Sequence, residues 1–382
     1  EELSMNVNKY INAFCFFSFF ITPLGDKLFY IWEKEDGTHQ LYSIDLTTES
    51  ILKNGVKICD RDFSKGYFSV DRYDAKANLL YLILDQNNNE NTNLWKLEIG
   101  SGNLNQITNF SNINGVTYNE TQTICWCYSK NKLEDGTLKN DVYELNLLTS
   151  GNTFLFSDEH NKDYRLTMTI ISKVKGENAF IFGVEKSNNI KNRNIAKYSL
   201  STLKWEYLLS SKVEVEGSVA LFDRNPSFEG FVIRSAHEGF INLYFYSYTS
   251  KELRKITNLT DKYEGLTIAE TGNSDEKNIN TITKKNNQFL LSKYKMSGEK
   301  HTYVLNSRIN LFETEKDYWG IQSSSDSVIK LVCLDDKGKE LKTIALTSYP
   351  SSELEHSNST WVSYPSFDGK EVKALLKMPK GE

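Results

Sequence analysis

One feature restricts the fold of this chain more than any other: a strand-like segment that returns about every fifty residues. Its copies read "QLYSIDLTTES" (40–50), "NLWKLEIGSGN" (93–103), "DVYELNLLTSG" (141–151), "NIAKYSLSTLK" (194–204) and "NLYFYSYTSKE" (242–252). A weaker sixth copy reads "HTYVLNSRINL" (301–311). The anchors Leu41, Leu94, Val142, Ile195, Leu243 and Thr302 follow one another at 53, 48, 53, 48 and 59 residues. A period of this length marks an array of similar supersecondary units.

Each copy has the same surroundings. An apolar strand precedes it, as in "GDKLFYIW" (25–32), "KANLLYLIL" (76–84), "TQTICWCY" (121–128), "GENAFIFGV" (176–184), "FEGFVIRS" (228–235) and "NNQFLLSKY" (286–294). A polar hairpin loop such as 34–38 or 85–92 joins that strand to the anchor. A further strand follows, often closed by Ile-Thr, as at Ile107-Thr108 and Ile256-Thr257. Four antiparallel strands per period, with no competing helical periodicity, predict a β-propeller, because one small sheet buries both faces only by stacking against its neighbours around an axis. Residues 317–347 supply one more unit with a degenerate anchor, so the expected fold is all-β with seven blades, six or eight being the alternatives.

Composition agrees with such a core. The chain has 382 residues, 39% hydrophobic and 13% aromatic, the latter a class that strands favour. A net charge of −5 and the lack of any long basic run argue against a nucleic-acid partner. Cys15, Cys59, Cys125, Cys127 and Cys333 are scattered and odd in number, which indicates no disulfide framework and fits a cytoplasmic chain. Four N-x-[ST] sequons, at Asn109, Asn119, Asn258 and Asn358, are what so asparagine-rich a chain produces by chance. The most apolar stretch, "YINAFCFFSFFITPLG" (10–25), is too short to span a bilayer. It reads as a buried strand entering a turn, and Asn12 to Ile21 is the natural candidate for an innermost or ring-closing strand. Three of the five prolines (Pro350, Pro365, Pro379) fall in the last 33 residues, a shift that marks a boundary.

Enzyme motifs are missing. The only G-x-S is Gly272-Asn273-Ser274, which lacks the second glycine of a nucleophile elbow and reads as a polar loop. His39, His160, His237, His301 and His356 have no metal-ligand spacing, and His39 and His301 fall at inter-strand turns. Cys125-Trp126-Cys127 puts two sulfurs on one face of a strand, a core pattern in the absence of further ligands. "DQNNNENTN" (85–93) opens like a calcium loop, but Glu90 stands where the loop needs glycine and Lys96 where it needs glutamate. The pairs Glu214, Glu216 and Asp275, Glu276 read as solvated faces. No catalytic, cofactor-binding or metal residue is assigned, and no cofactor is expected.

The blades resemble TolB-like and dipeptidyl-peptidase-like propellers, whose strand-turn signal is S-P-D-G. The copy nearest that signal, Thr22-Pro23-Leu24-Gly25-Asp26, keeps the proline and glycine but has Leu24 in place of aspartate. The end of the chain, "WVSYPSFDGKEVKALLKMPKGE" (361–382), looks like the junction in serine peptidases of the prolyl oligopeptidase family, particularly the acylaminoacyl-peptidase-like branch. There a strand, an S-x-D-G turn, a second strand and P-x-G open an α/β-hydrolase domain. Here the matching residues are Ser366, Asp368, Gly369, Pro379 and Gly381.

That resemblance implies a propeller over residues 1–349, and a linker with the first strands of a truncated hydrolase domain over 350–382. It implies a substrate-gating role in a peptidase acting on short peptides, with the catalytic triad in a hydrolase domain of the same polypeptide and none of it in this chain. Family propellers also use charged groups to hold a peptide terminus, a role for which Arg72 and Arg234 are candidates alongside the glutamates above. Neither a membrane nor a nucleic acid is expected as partner, and an oligomer is compatible with the reading. The alternative is a stand-alone TolB-like propeller that binds a protein or ligand. A propeller glycosidase would need paired carboxylates facing one pocket, and nothing in the sequence favours that. The two closing strands are expected to be loosely held without the rest of their sheet.

Overall fold

The structure is a computed structural model. It describes residues 15–378 apart from 86–87, 120, 137, 159–163, 174–176, 187–188, 210–218, 222–229, 236–237, 260–266, 272–277, 286–287, 296–299, 313, 315–316, 324–328 and 347–357. Seven four-stranded antiparallel sheets follow one another along the chain, each built from consecutive strands. Blade 1 comprises Cys15–Ile21, Lys27–Glu33, His39–Asp45 and Val56–Lys57. Blade 2 comprises Phe68–Asp74, Leu79–Leu84, Asn93–Glu98 and Leu104–Gln106, and blade 3 Ile113–Tyr118, Ile124–Lys132, Leu138–Asn146 and Gly151–Ser157. Blade 4 comprises Tyr164–Lys173, Ala179–Lys186, Asn189–Ser199 and Lys204–Tyr207, and blade 5 Val219–Leu221, Gly230–Ser235, Asn242–Ser247 and Leu253–Lys255. Blade 6 comprises Thr267–Thr271, Asn278–Lys285, Gln288–Tyr294 and Lys300–Leu305, and blade 7 Ile309–Leu311, Tyr318–Ser323, Ile329–Leu334 and Glu340–Ala345. Among the described residues the only helix is one 3₁₀ turn, Leu52–Asn54.

First strands touch between blades 1 and 2, 3 and 4, 5 and 6, and 6 and 7, so the first strands line the axis and the fourth strands form the rim. Anchors Leu41, Leu94, Val142, Ile195 and Leu243 sit on third strands and are fully buried. They belong to apolar clusters that span neighbouring blades: Leu41 packs with Leu80 and Leu82, and Leu243 with Ile279 and Tyr294. Sheet stacking therefore supplies most of the burial, each fully buried aliphatic side chain contributing about 1.5–3 kcal/mol.

The sixth anchor needs correction. Thr302 lies on the fourth strand of blade 6, opposite Ser292. The equivalent buried position is Leu291, 48 residues after Leu243, which restores the period. "NNQFLLSKY" is accordingly a third strand, and Ile309–Leu311 opens blade 7 instead of closing blade 6. The true second strand, "NINTITKK", is polar because its buried positions carry Asn280, Thr281 and Thr283, so a search for apolar runs passes over it.

A recurrent polar clamp fixes the outer strand in blades 2, 3 and 5. In blade 2 the Leu94 N–H donates to Thr108 Oγ1 (2.9 Å), whose hydroxyl donates to Asn93 Oδ1 (2.8 Å). Asn93 also accepts from the Phe110 N–H and donates to the Phe110 carbonyl. Blade 5 repeats this with Asn242, Leu243, Thr257 and Leu259, the Leu243 N–H to Thr257 Oγ1 distance again being 2.9 Å. Blade 3 uses Asn140 and Asp158, whose carboxylate takes the Asn140 N–H at 2.7 Å. Buried backbone donors need partners, and the Asn and Ile-Thr residues of the repeat supply them where the ladder ends.

Among the described residues the ring closes by packing, with no strand exchanged between blades 1 and 7. Phe16, Tyr30, Tyr42 and Leu52 of the first unit bury Trp319, Leu331, Cys333, Ile344 and Leu346 of the last. Lys342 Nζ donates to the carbonyls of Leu46 and Glu49, and the Phe16 N–H reaches the Leu346 carbonyl at 3.4 Å. Cys15–Ile21 is thus the innermost strand of blade 1, as its apolar sequence predicts. Gly25, in the turn that follows, has φ +70°, and a Cβ there would lie 2.8 Å from Trp319 Nε1.

After blade 7 a separate two-stranded hairpin pairs Asn358–Pro365 with Glu371–Met378. Its turn is closed by the Ser366 N–H to Lys370 carbonyl bond (2.7 Å), with Gly369 at φ +78°.

Candidate functional site

The axis is the place where a propeller holds or passes a ligand, so its wall decides what the ring can do. Each first strand has one hydrogen-bonded partner, the second strand of its blade. Its other edge is left to the axis. In blades 1 to 4 that strand departs from regular register: at Ser18 and Phe19, at Asp71, at Gly115, and between Leu166 and Ser172. In blades 5 to 7 the described first strands pair in unbroken register. A bulge turns a side chain out of the alternation and re-aims it.

Two of the re-aimed side chains bridge neighbouring first strands. Ser18, left-handed at φ +54°, donates to the Phe68 carbonyl of blade 2 at 3.4 Å. Asp71 of blade 2 accepts from the Tyr118 hydroxyl of blade 3. Burial, with Asp71 adding to it, holds the Tyr118 phenol well above its ordinary range, so the hydroxyl remains a donor.

Arg72 lies beside this bridge and is buried. Its Nε donates to Gln122 Oε1 at 2.5 Å, one terminal nitrogen to the Gln122 carbonyl at 2.7 Å, and the other to Asp74 at 3.3 Å. The guanidinium also stacks 4.9 Å from the Tyr81 ring centre and 5.2 Å from that of Tyr118. These bonds commit its donors to the seam between blades 2 and 3. Arg234 is half-buried on the second strand of blade 5, opposite Leu243 of the third. Glu214, Glu216, Asp275, Glu276 and the Gly272-Asn273-Ser274 segment lie outside the described residues.

The remaining candidates have settled positions. Cys125 and Cys127 are fully buried and pack with Tyr81 and Leu94 of blade 2, while Trp126 turns to the opposite face against Phe180. Burial pushes the Cys125 thiol up to about 12, which keeps it protonated and unreactive. Asp85 closes its own loop by accepting the Glu90 N–H at 2.7 Å, with Asn88 and Glu90 in left-handed conformations. His39 opens a third strand, its N–H on Asp62 and its ring edge-on to Phe17 at 4.8 Å. His301 is exposed on the rim of blade 6, and the other three histidines are outside the described residues. Among the described residues no group of three or more His, Cys, Asp and Glu is placed to hold a metal, and no helix is long and apolar enough to cross a membrane.

Sequence reasoning passed over Asp71, Tyr118 and Gln122. The break in alternation along Val70–Arg72 becomes visible only against the partner strand, so no local signal marks it.

No family model matches the chain, and no curated protein matches it in sequence. Solved structures do. A structure from a study of two prolyl endopeptidases and their inter-domain dynamics overlaps 97% of this chain and 55% of its own, with a TM-score of 0.71 at 12% identity. Puromycin hydrolase overlaps 96% of this chain and 60% of its own (TM-score 0.69, 12% identity). A puromycin-hydrolyzing peptidase of Mycobacterium tuberculosis overlaps 95% and 60% (TM-score 0.66, 11% identity). The chain therefore shares the propeller fold found in these peptidases, and it spans less than two thirds of the length of each.

Proposed function

We propose that this chain is the substrate-gating propeller of a serine peptidase of the prolyl oligopeptidase family, of the acylaminoacyl-peptidase-like kind. Residues 1–349 form the gate, and 350–382 are the linker and first strands of an α/β-hydrolase domain of the same polypeptide. That domain carries a Ser-His-Asp triad that cleaves short peptides by acyl transfer. The propeller selects by size: a packed ring admits an extended peptide and turns away a folded domain.

The observation that carries this reading is the overlap of nearly the whole chain with peptidases that extend well beyond it. The hairpin supports it, because its Ser366-Phe367-Asp368-Gly369 turn comes after the last blade in the chain and belongs to no blade sheet. A two-stranded hairpin is marginal alone and gains stability when further strands join it.

The test is the reading frame beyond the codon for Glu382. A continuation of domain length with a G-x-S-x-G elbow, whose product hydrolyses peptide nitroanilides while residues 1–382 alone do not, is the expected result. A stop codon directly after Glu382 overturns the reading in favour of a stand-alone binding propeller. So does hydrolysis by the 382-residue chain that is lost on mutating one of its own serines.

A further inference from the structure

Among the described residues every blade ends in an outermost strand with one free edge. Such an edge pairs with other chains unless it is short, charged or bent away. Four of the seven are short: Val56–Lys57, Leu104–Gln106, Lys204–Tyr207 and Leu253–Lys255 have two to four residues. Blade 6 has a longer edge, Lys300–Leu305, guarded by exposed Lys300 and His301. Blade 7 has Glu340–Ala345, guarded by Glu340 and by Lys342, which is tied across the ring closure.

Blade 3 is the exception. Its edge, Gly151–Ser157, is seven residues long, reads "GNTFLFS" and contains neither a charge nor a proline. Gly151, Asn152, Thr153 and Phe154 are all exposed and pair regularly with Asn146, Leu145, Glu144 and Tyr143. The bulge of this strand comes only after Phe154, so it does not bend the regular part away. Phe154 is 54% exposed and Leu148, in the preceding turn, 78%.

We infer that this edge is an interface between two copies of the chain, paired antiparallel about a two-fold axis through the middle of Gly151–Phe154. Asn152 of one copy then stands opposite Thr153 of the second, and the two blades form one eight-stranded sheet. An uncharged strand meets its own copy without like-charge repulsion, and a symmetric antiparallel contact uses up both edges and closes at two. The outward backbone groups supply the ladder, and Phe154 and Leu148 of both copies supply apolar surface at its ends.

Sedimentation equilibrium of the 382-residue chain over a dilution series tests this. The expected result is a reversible dimer whose dissociation constant rises about tenfold or more in Thr153→Lys and in Asn152→Lys, a loss of ~1.4 kcal/mol. Both side chains are exposed, and an unchanged melting transition verifies that the variants fold. Val304→Lys on the guarded edge of blade 6, where Val304 is 61% exposed, leaves the dimer unchanged. A chain that stays monomeric throughout, a dimer indifferent to both blade 3 substitutions, or an assembly that grows past two copies overturns the inference.

Discussion

Replacing Thr108 by valine removes one hydroxyl from the blade 2 clamp and changes almost nothing in shape. Thr108 is 1% exposed, so water cannot replace what is lost. The Leu94 N–H loses its 2.9 Å acceptor, and Asn93 Oδ1 loses a 2.8 Å donor while keeping the Phe110 N–H. The Leu94 carbonyl still accepts from Ile107, so the outer strand remains attached. Stranding one buried donor costs about 1–3 kcal/mol and losing a hydrogen bond at the still-satisfied acceptor about 0.5–1.5 kcal/mol, so Thr108→Val should destabilise by about 2–4 kcal/mol. Urea unfolding should show a lower midpoint at unchanged slope. Because blade 5 repeats the geometry, Thr257→Val should cost a similar amount, and the two losses should add within about 0.5 kcal/mol, as expected of distant independent sites. A double-mutant cycle of Thr108→Val with Asn93→Ala should give a coupling of about 1 kcal/mol, since the two side chains share a bond. If Thr108→Val costs under about 0.5 kcal/mol, the lost partner is replaced and the clamp does not hold the strand. A large cost at Thr108 with none at Thr257 would refute the equivalence of the two clamps.

Arg72→Met should destabilise by about 1.5–3 kcal/mol, because Gln122 and half-buried Asp74 lose their charged donor; a melting point equal to the parent's would rule out the seam role. Gly25→Ala should cost at least about 1 kcal/mol, from the φ of +70° and the 2.8 Å approach of Trp319, and the loss should shrink in Trp319→Ala. Stability should also fall on the alkaline side. Cys125 and Cys333 are raised from 9.0 to about 12, and Tyr128 from 10.0 to about 12, by burial. The unfolded chain gives up these protons first and so binds fewer than the native chain, which makes stability decline as pH rises from the ordinary thiol and phenol values towards about 12. Urea midpoints measured across that window check it, and a flat profile would contradict it. Thiol labelling of the native protein should modify half-buried Cys59 before Cys125, Cys127 or Cys333, with the order read by peptide mapping.

Much of the fold is legible in the sequence because strand alternation and turn chemistry are local. The closing turn is an example: Asp368 and Gly369 are needed where the Lys370 N–H must reach a carboxylate and φ must be positive, so the residues announce the hairpin. The blade turns are harder to read for a related reason. Gly25 is left-handed at φ +70°, but Asn78 at +54° and Gln122 at +55° do the same work before their second strands. The conformation is retained where the residue is not, and a signal defined by proline and glycine fades although the turn does not. Blade 6 shows the opposite failure. Asn280, Thr281 and Thr283 fill buried positions of its second strand, so polar residues hide the strand that an apolar search expects.

The sequence by itself determined the period, the four strands in each unit, the propeller that they imply and the extra hairpin at the end. The strands and turns follow from residues a few places apart, and the period from their recurrence about every fifty residues. Only the tertiary structure decided that the ring closes by packing, that Arg72 is spent within a seam, and that blade 3 alone keeps a long uncharged edge. Those outcomes depend on contacts between distant parts of the chain, such as Arg72 with Gln122 at a separation of 50 residues and Lys342 with Leu46 at 296. No local pattern encodes which face of one sheet meets which face of the next; stacking seven similar sheets around an axis does.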